Sequence, residues 1–188
     1  MAWWLCPLLL LASASRAAVS EKQDSREISV HVGAAFYEMF DAGVRDLFLG
    51  PSVTIDYGVP RSDHVWIDLG VSLTRGACFG GPDGCVLRPG LALEPNGGIK
   101  LKTAGFERWL AYAKLTGGVL LMVPDGDSPL GVAALARAGG GLKWRVSKLA
   151  AFGVEATGAL GIGRFAFGGR AQHELASVEV GLGIEARF

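Results

Sequence analysis

Outside its first eighteen residues this chain has no continuous apolar stretch of transmembrane-helix length, although half of its 188 residues are hydrophobic. Its mean hydropathy is nonetheless positive, +0.34. A helix that crosses a bilayer needs about 20 apolar residues in a row, so the apolar content here has to be spread by alternation rather than by runs. Neither sign of charge is in excess: 18 Lys and Arg stand against 18 Asp and Glu. Nucleic-acid binding requires a basic footprint, and zero net charge argues against it. Cysteine and histidine are scarce, at three residues each. The one close cysteine pair, Cys78 and Cys85, has no histidine nearby to complete a metal set, and no cofactor is implied.

What is present is period-2 patterning. From Val178 to Phe188 the chain alternates without a break: Val178, Val180, Leu182, Ile184, Ala186 and Phe188 share one face, and Glu179, Gly181, Gly183, Glu185 and Arg187 the other. That is a strand with one apolar and one polar face. It runs to the last residue given, where a soluble chain would fray, whereas the last strand of a membrane barrel closes the cylinder. The segment resembles the C-terminal signature of bacterial outer-membrane barrels, in which a terminal Phe after alternating apolar residues is read by the barrel assembly machinery. That resemblance makes Phe188 the expected closure and assembly signal.

The start is consistent with export. Leu5 to Ala12 is apolar, and Ser13, Ala14, Ser15, Ala17 and Ala18 are small. Residues 1–18 read as a cleaved signal peptide, cut after Ala17 or Ala18, and 19–188 as the barrel domain. No Lys or Arg precedes the apolar run, which departs from the usual pattern. Cys6 lies before the run, unlike a lipoprotein acylation site.

About eight alternating segments follow: Glu27–Tyr37, Ser52–Val59, His64–Thr74, an irregular one around Leu91–Lys102 interrupted by Pro95, Arg108–Val123, Leu130–Val146, Ala150–Gly163 and the terminal strand. The expected fold is all-β: a closed antiparallel up-and-down transmembrane β-barrel of about eight strands, with no second domain and no peptidoglycan-binding extension. Pro60–Asp63, Ala104–Glu107 and Ser147–Lys148 are expected as periplasmic turns. Glu38–Gly50, Arg75–Leu87, Pro124–Pro129 and Arg164–Glu174 are expected as the longer outer connections. The 28 glycines, many on the charged face, suit a crowded lumen. They also argue against a soluble lipocalin-type barrel, whose apolar face would point inward.

The polar face carries His31, Asp56, Asp68, Lys100, Lys102, Lys114, Arg137, Lys143, Arg145, Glu155, Glu179, Glu185 and Arg187. Acids fall mainly on the second, third, seventh and eighth segments and bases on the fourth to sixth, so closure sets an acidic arc against a basic one. An eight-stranded cylinder holds little beyond side chains, which favours a salt-bridge plug over a narrow polar pore. Cys78 and Cys85, in an outer connection of an exported protein, are expected to form a disulfide.

Nearly all of the chain beyond the leader resembles the small eight-stranded outer-membrane barrels, such as the transmembrane domain of OmpA and the OmpX and OmpW groups. This resemblance implies a small, porin-like protein of the Gram-negative outer membrane with a structural, surface-interaction or small-solute role. It implies lipid and lipopolysaccharide as surroundings, the assembly machinery as a partner through the C-terminal strand, and a monomer. No enzymatic activity is expected. The alternative from another class is a barrel-embedded lipid A-modifying enzyme, for which His173 and Ser177 loosely resemble the His/Ser pairs of deacylases and palmitoyltransferases.

Overall fold

The computed structural model describes residues 26–41, 44–76, 78–81, 84–86, 90–103, 108–124, 130–167 and 170–188. The expected signal segment lies outside them. The described residues form ten strands: β1 (Glu27–Asp41), β2 (Val44–Pro60), β3 (Val65–Arg75), β4 (Cys78–Gly81), β5 (Gly84–Val86), β6 (Gly90–Lys102), β7 (Trp109–Pro124), β8 (Gly131–Arg145), β9 (Ala150–Phe167) and β10 (Arg170–Arg187). Eight of them, all but β4 and β5, pair antiparallel with both neighbours, and β1 meets both β2 and β10, so the sheet closes on itself. Closure leaves no edge in the eight-stranded wall, which is what a strand protein in hydrocarbon requires.

The pairings fix the cylinder's dimensions. One circuit runs Glu27↔Gly58, Gly58↔Asp68, Asp68↔Gly98, Gly98↔Thr116, Thr116↔Arg137, Arg137↔Ala159, Ala159↔Ser177 and Ser177↔Tyr37. The path returns to β1 ten residues beyond its start. Eight strands with that stagger tilt by about 42° and form a backbone cylinder of about 8 Å radius. A tube so narrow is filled by its own inward side chains.

The phase of the alternation is apolar out and polar in. Leu115, Leu160, Ile162, Leu182 and Ile184 are exposed, whereas Asp56, Asp68, Glu94, Lys100, Lys143 and Glu185 are buried. A soluble ligand-binding barrel would have the reverse. Val178 to Phe188, tilted as above, rises about 25 Å, the height of the apolar belt such barrels present to lipid. At the end carrying the short turns 61–64 and 146–149, Trp109 stacks on its cross-strand partner Trp144 at 5.6 Å, and Trp144 meets Phe152 at 5.2 Å. Amphipathic rings at one rim of the belt mark a lipid–water boundary.

Two expected outer connections turn out to be largely strand. Glu38–Gly50 is the continuation of β1 and β2, paired down to Asp41↔Val44, and most of Arg164–Glu174 belongs to β9 and β10. Within Arg75–Leu87, β4 and β5 form a hairpin that pairs with β2 through Leu47↔Gly80 to Leu49↔Cys78. The alternation is lost in these stretches because the inward positions Met39, Phe48 and Phe165 are themselves apolar and buried. Charged Glu38 and Arg164 stand on the opposite, outward phase, so the apolar-out, polar-in pattern of the rest of the barrel does not continue and a period-2 reading loses its phase.

Candidate functional site

Among the described residues, the lumen is where buried charge gathers. The acids come mainly from β1, β2, β3, β9 and β10 and the bases mainly from β6, β7 and β8, so most ion pairs bridge strands that are not neighbours, whereas Lys100–Asp68 joins the adjacent β6 and β3 and Arg187–Glu185 lies within β10. Glu94, an acid on β6, and Arg187, a base on β10, are the exceptions. Nearest the short turns, Lys100 pairs with Asp68 at 2.5 Å and Glu27 at 3.3 Å, and Lys102 pairs with Glu27 while its ammonium stands 3.7 Å over the Trp66 ring. Beside them Lys143 holds Glu185 at 2.6 Å and Ser29 Oγ at 3.1 Å, and Arg187 reaches Glu185 from the rim at 2.8 Å. Arg145 is half-buried on the same level.

In the next layer Lys114 binds Glu155 and stands 3.5 Å from Asp56. The Tyr112 hydroxyl donates to Glu155 as well. His31 Nε2 lies 3.9 Å from Asp56 Oδ2 and 3.7 Å from Glu155 Oε2. Among the described residues, His31, Asp56 and Glu155 are the group whose nitrogen and oxygen donors converge closely enough, within 4.8 Å of one another, to surround an ion. One level further, Arg137 donates to Glu94 and, at 2.7 Å, to Glu179, and its Nη1 also reaches Thr157 Oγ1 at 2.9 Å. Thr54 hydrogen-bonds Ser72 at 2.7 Å and Glu179 at 2.8 Å.

Glycines on this face are the space the long side chains occupy. A Cβ on Gly141 would stand 2.6 Å from the Tyr112 hydroxyl, and one on Gly183 would stand 2.5 Å from His31 Nδ1. Real side chains do not tolerate such approaches, so small residues between charged ones are a packing requirement.

Beyond Arg137 the lumen changes character. Tyr37, Met39, Phe48, Leu120, Met122, Leu135, Phe165 and Leu175, with Ala35, Ala92 and Ala133, form one buried apolar cluster across the tube. The Tyr37 and Phe48 rings meet edge to face at 5.7 Å. Sequence reasoning missed this layer, and it also left Glu27 out of the network. For Glu27 the signal was available, since it shares the phase of Ser29 and His31.

The two cysteines stand on β4 and β5, and their side chains lie outside the described part. The hairpin register sets Cys85 opposite Gly80, so Cys78 and Cys85 are diagonal to one another. His173 and Ser177 do not converge: Ser177 is buried in the lumen, while His173 is exposed beside the register shift between Gln172 and Glu174. Phe188 sits at the β1–β10 seam with its ring exposed.

A closed eight-stranded cylinder with a lipid-facing belt and a charged, filled interior defines a small transmembrane β-barrel of the outer-membrane type. The solved structures it resembles are of that kind. Neisserial surface protein A superposes with a TM-score of 0.59 at 8% identity, covering 86% of this chain and 97% of that one. OprG of Pseudomonas aeruginosa gives 0.55 at 9%, covering 88% and 97%. Ail, the attachment invasion locus protein of Yersinia pestis, gives 0.51 at 16%, covering 88% and 99%. Identities this low carry the fold alone. No protein-family profile matches the sequence, and no curated protein matches it.

Proposed function

We propose that this chain is a non-conducting integral protein of the Gram-negative outer membrane that works through its outer rim rather than through its lumen. The observation that carries this reading is the double closure of the tube. The Arg137–Glu94–Glu179 layer and the layers below it fill the polar half, and the cluster around Leu120, Leu135 and Phe165 fills the rest. A solute would have to break buried ion pairs, at about 3–5 kcal/mol for each partner removed, and also part a dry apolar layer. The outer end carries the β4–β5 hairpin, paired to the extended end of β2, a rim element suited to contact with a surface partner. One fold neighbour is named for attachment and invasion.

Residues 1–18 act as the export signal in this reading, and lipopolysaccharide surrounds the belt of a monomer. The aromatic end at Phe188 is what the assembly machinery recognises. Cys78 and Cys85 close the hairpin as a disulfide after export. Because diagonal partners stand about 7–8 Å apart, the bond requires this short hairpin to slip from its present register.

Planar-bilayer recording of the refolded barrel tests the central point. Silence at voltages that open small porins is expected, and steady unit conductance would overturn the plug in favour of a narrow pore. Mass spectrometry of lipid A from cells with and without the protein is expected to show identical species; a changed acylation pattern would make the barrel an enzyme.

A further inference from the structure

We propose that His31, Asp56 and Glu155 form a divalent-cation site in the middle of the lumen, suited to a first-row transition ion of the Zn²⁺ type. The three side chains come from β1, β2 and β9, and each is buried. Their donors are one imidazole nitrogen and two carboxylates, a set that borderline ions accept and that Mg²⁺ and Ca²⁺, which prefer all-oxygen shells, do not favour. Ligands about 2.1 Å from a tetrahedral metal stand roughly 3.4 Å apart. The His31 separations of 3.7 and 3.9 Å are wider than that by only a few tenths of an ångström.

Two further observations point to a ligand. Both ring nitrogens of His31 and both carboxylate oxygens of Asp56 are buried without a hydrogen-bond partner, although His31 is only 5% exposed and Asp56 only 1%. Buried polar atoms of native proteins are normally satisfied. Charge is also locally unbalanced: Asp56 and Glu155 share one ammonium, Lys114, and a neutral imidazole adds no compensation. Lys114 is therefore the resident counter-ion, and a dication would take its place between the two carboxylates. Glycines let the ligands reach the centre of the tube, since Asp56 packs against Gly70 and the His31 ring against Gly183, where a Cβ would stand 2.3 and 2.5 Å from them. With the apolar cluster on one side and Glu27, Lys102 and Trp66 on the other, the ion enters while the barrel folds.

The experiment uses the untagged barrel refolded into detergent micelles with Zn²⁺ present and then desalted. Heat-modifiable gel mobility confirms folding, and elemental mass spectrometry counts the metal. Equimolar zinc is expected in the folded barrel, and Co²⁺ loaded the same way should show the visible bands of a low-coordinate nitrogen–oxygen site. His31→Gln should weaken retention by at least about tenfold, whereas Lys114→Gln, which removes the competing cation, should strengthen it. Because Lys114→Gln keeps all three ligands, it reads the site even if a ligand variant folds poorly. Folded wild type without bound metal, or equal retention by a folded His31→Gln barrel, would overturn the site.

Discussion

Arg26 and Phe188 exchange two backbone hydrogen bonds, Arg26 N–H to the Phe188 carbonyl at 2.9 Å and Phe188 N–H to the Arg26 carbonyl at 3.1 Å. They fasten the seam at the turn-bearing end, where the first and last strands meet. The pair uses backbone atoms only, so the Phe188 ring is free to serve another purpose on the exposed face.

Recognition and stability should therefore separate at this residue. Phe188→Ala retains the backbone pair, and the purified variant is expected to refold in detergent with a heat-modifiable shift like the parent's. In cells the same variant should accumulate unfolded in the periplasm, read by the same gel assay on membrane fractions. Normal insertion in cells would remove the assembly role of the ring.

The lipid face and the lumen face should respond oppositely to charge. Leu182, 68% exposed near the middle of the belt, should lose about 2–4 kcal/mol of folding stability in vesicles when changed to Arg. Glu179→Gln takes one of two carboxylates from Arg137 and leaves Glu94 in place. It should cost less than Leu182→Arg in urea titrations followed by tryptophan fluorescence. The reverse order would mean that Glu179, not Leu182, faces lipid.

This contrast also explains how much of the protein could be read from sequence. Strand 178–188 was legible because lipid demands apolar residues outside while the lumen accepts Glu and Gly, and the two demands differ at every step. The charges of the lumen followed from the same phase. The arcs of opposite sign were legible as well, because strand order in an up-and-down barrel is chain order. The layer of Leu120, Met122 and Leu135 was not. There Val119 to Val123 is apolar on both faces, so burial inside and exposure outside leave the same composition. Convergence of His31 with Glu155 was equally hidden, since it depends on the ten-residue stagger and on the glycine-lined space between them.

The apolar layer should act as a structural closure in its own right. Phe165 is fully buried, and a Cβ on the facing Gly131 would stand 2.7 Å from its ring. Phe165→Ala should destabilise the barrel by about 3–5 kcal/mol. It should nevertheless remain silent in planar bilayers, because the Arg137 layer still fills the tube. Conductance from Phe165→Ala alone would show that the ion-pair layers do not block the lumen.

The hairpin cysteines give a test of topology and of covalent state together. A diagonal pair bridges only if β4 and β5 slip relative to one another. The oxidising envelope favours the bridge, and a loop this short gains about 2–3 kcal/mol from closure on the chain-entropy model. Thiol alkylation of intact cells should therefore label neither Cys78 nor Cys85 until a reductant is added, and then both. Reduction should leave heat-modifiable mobility unchanged, because the closed barrel does not depend on the hairpin. Labelling without reductant would show that the register seen here persists with free thiols. Labelling only after the cells are broken open would turn the barrel over in the membrane.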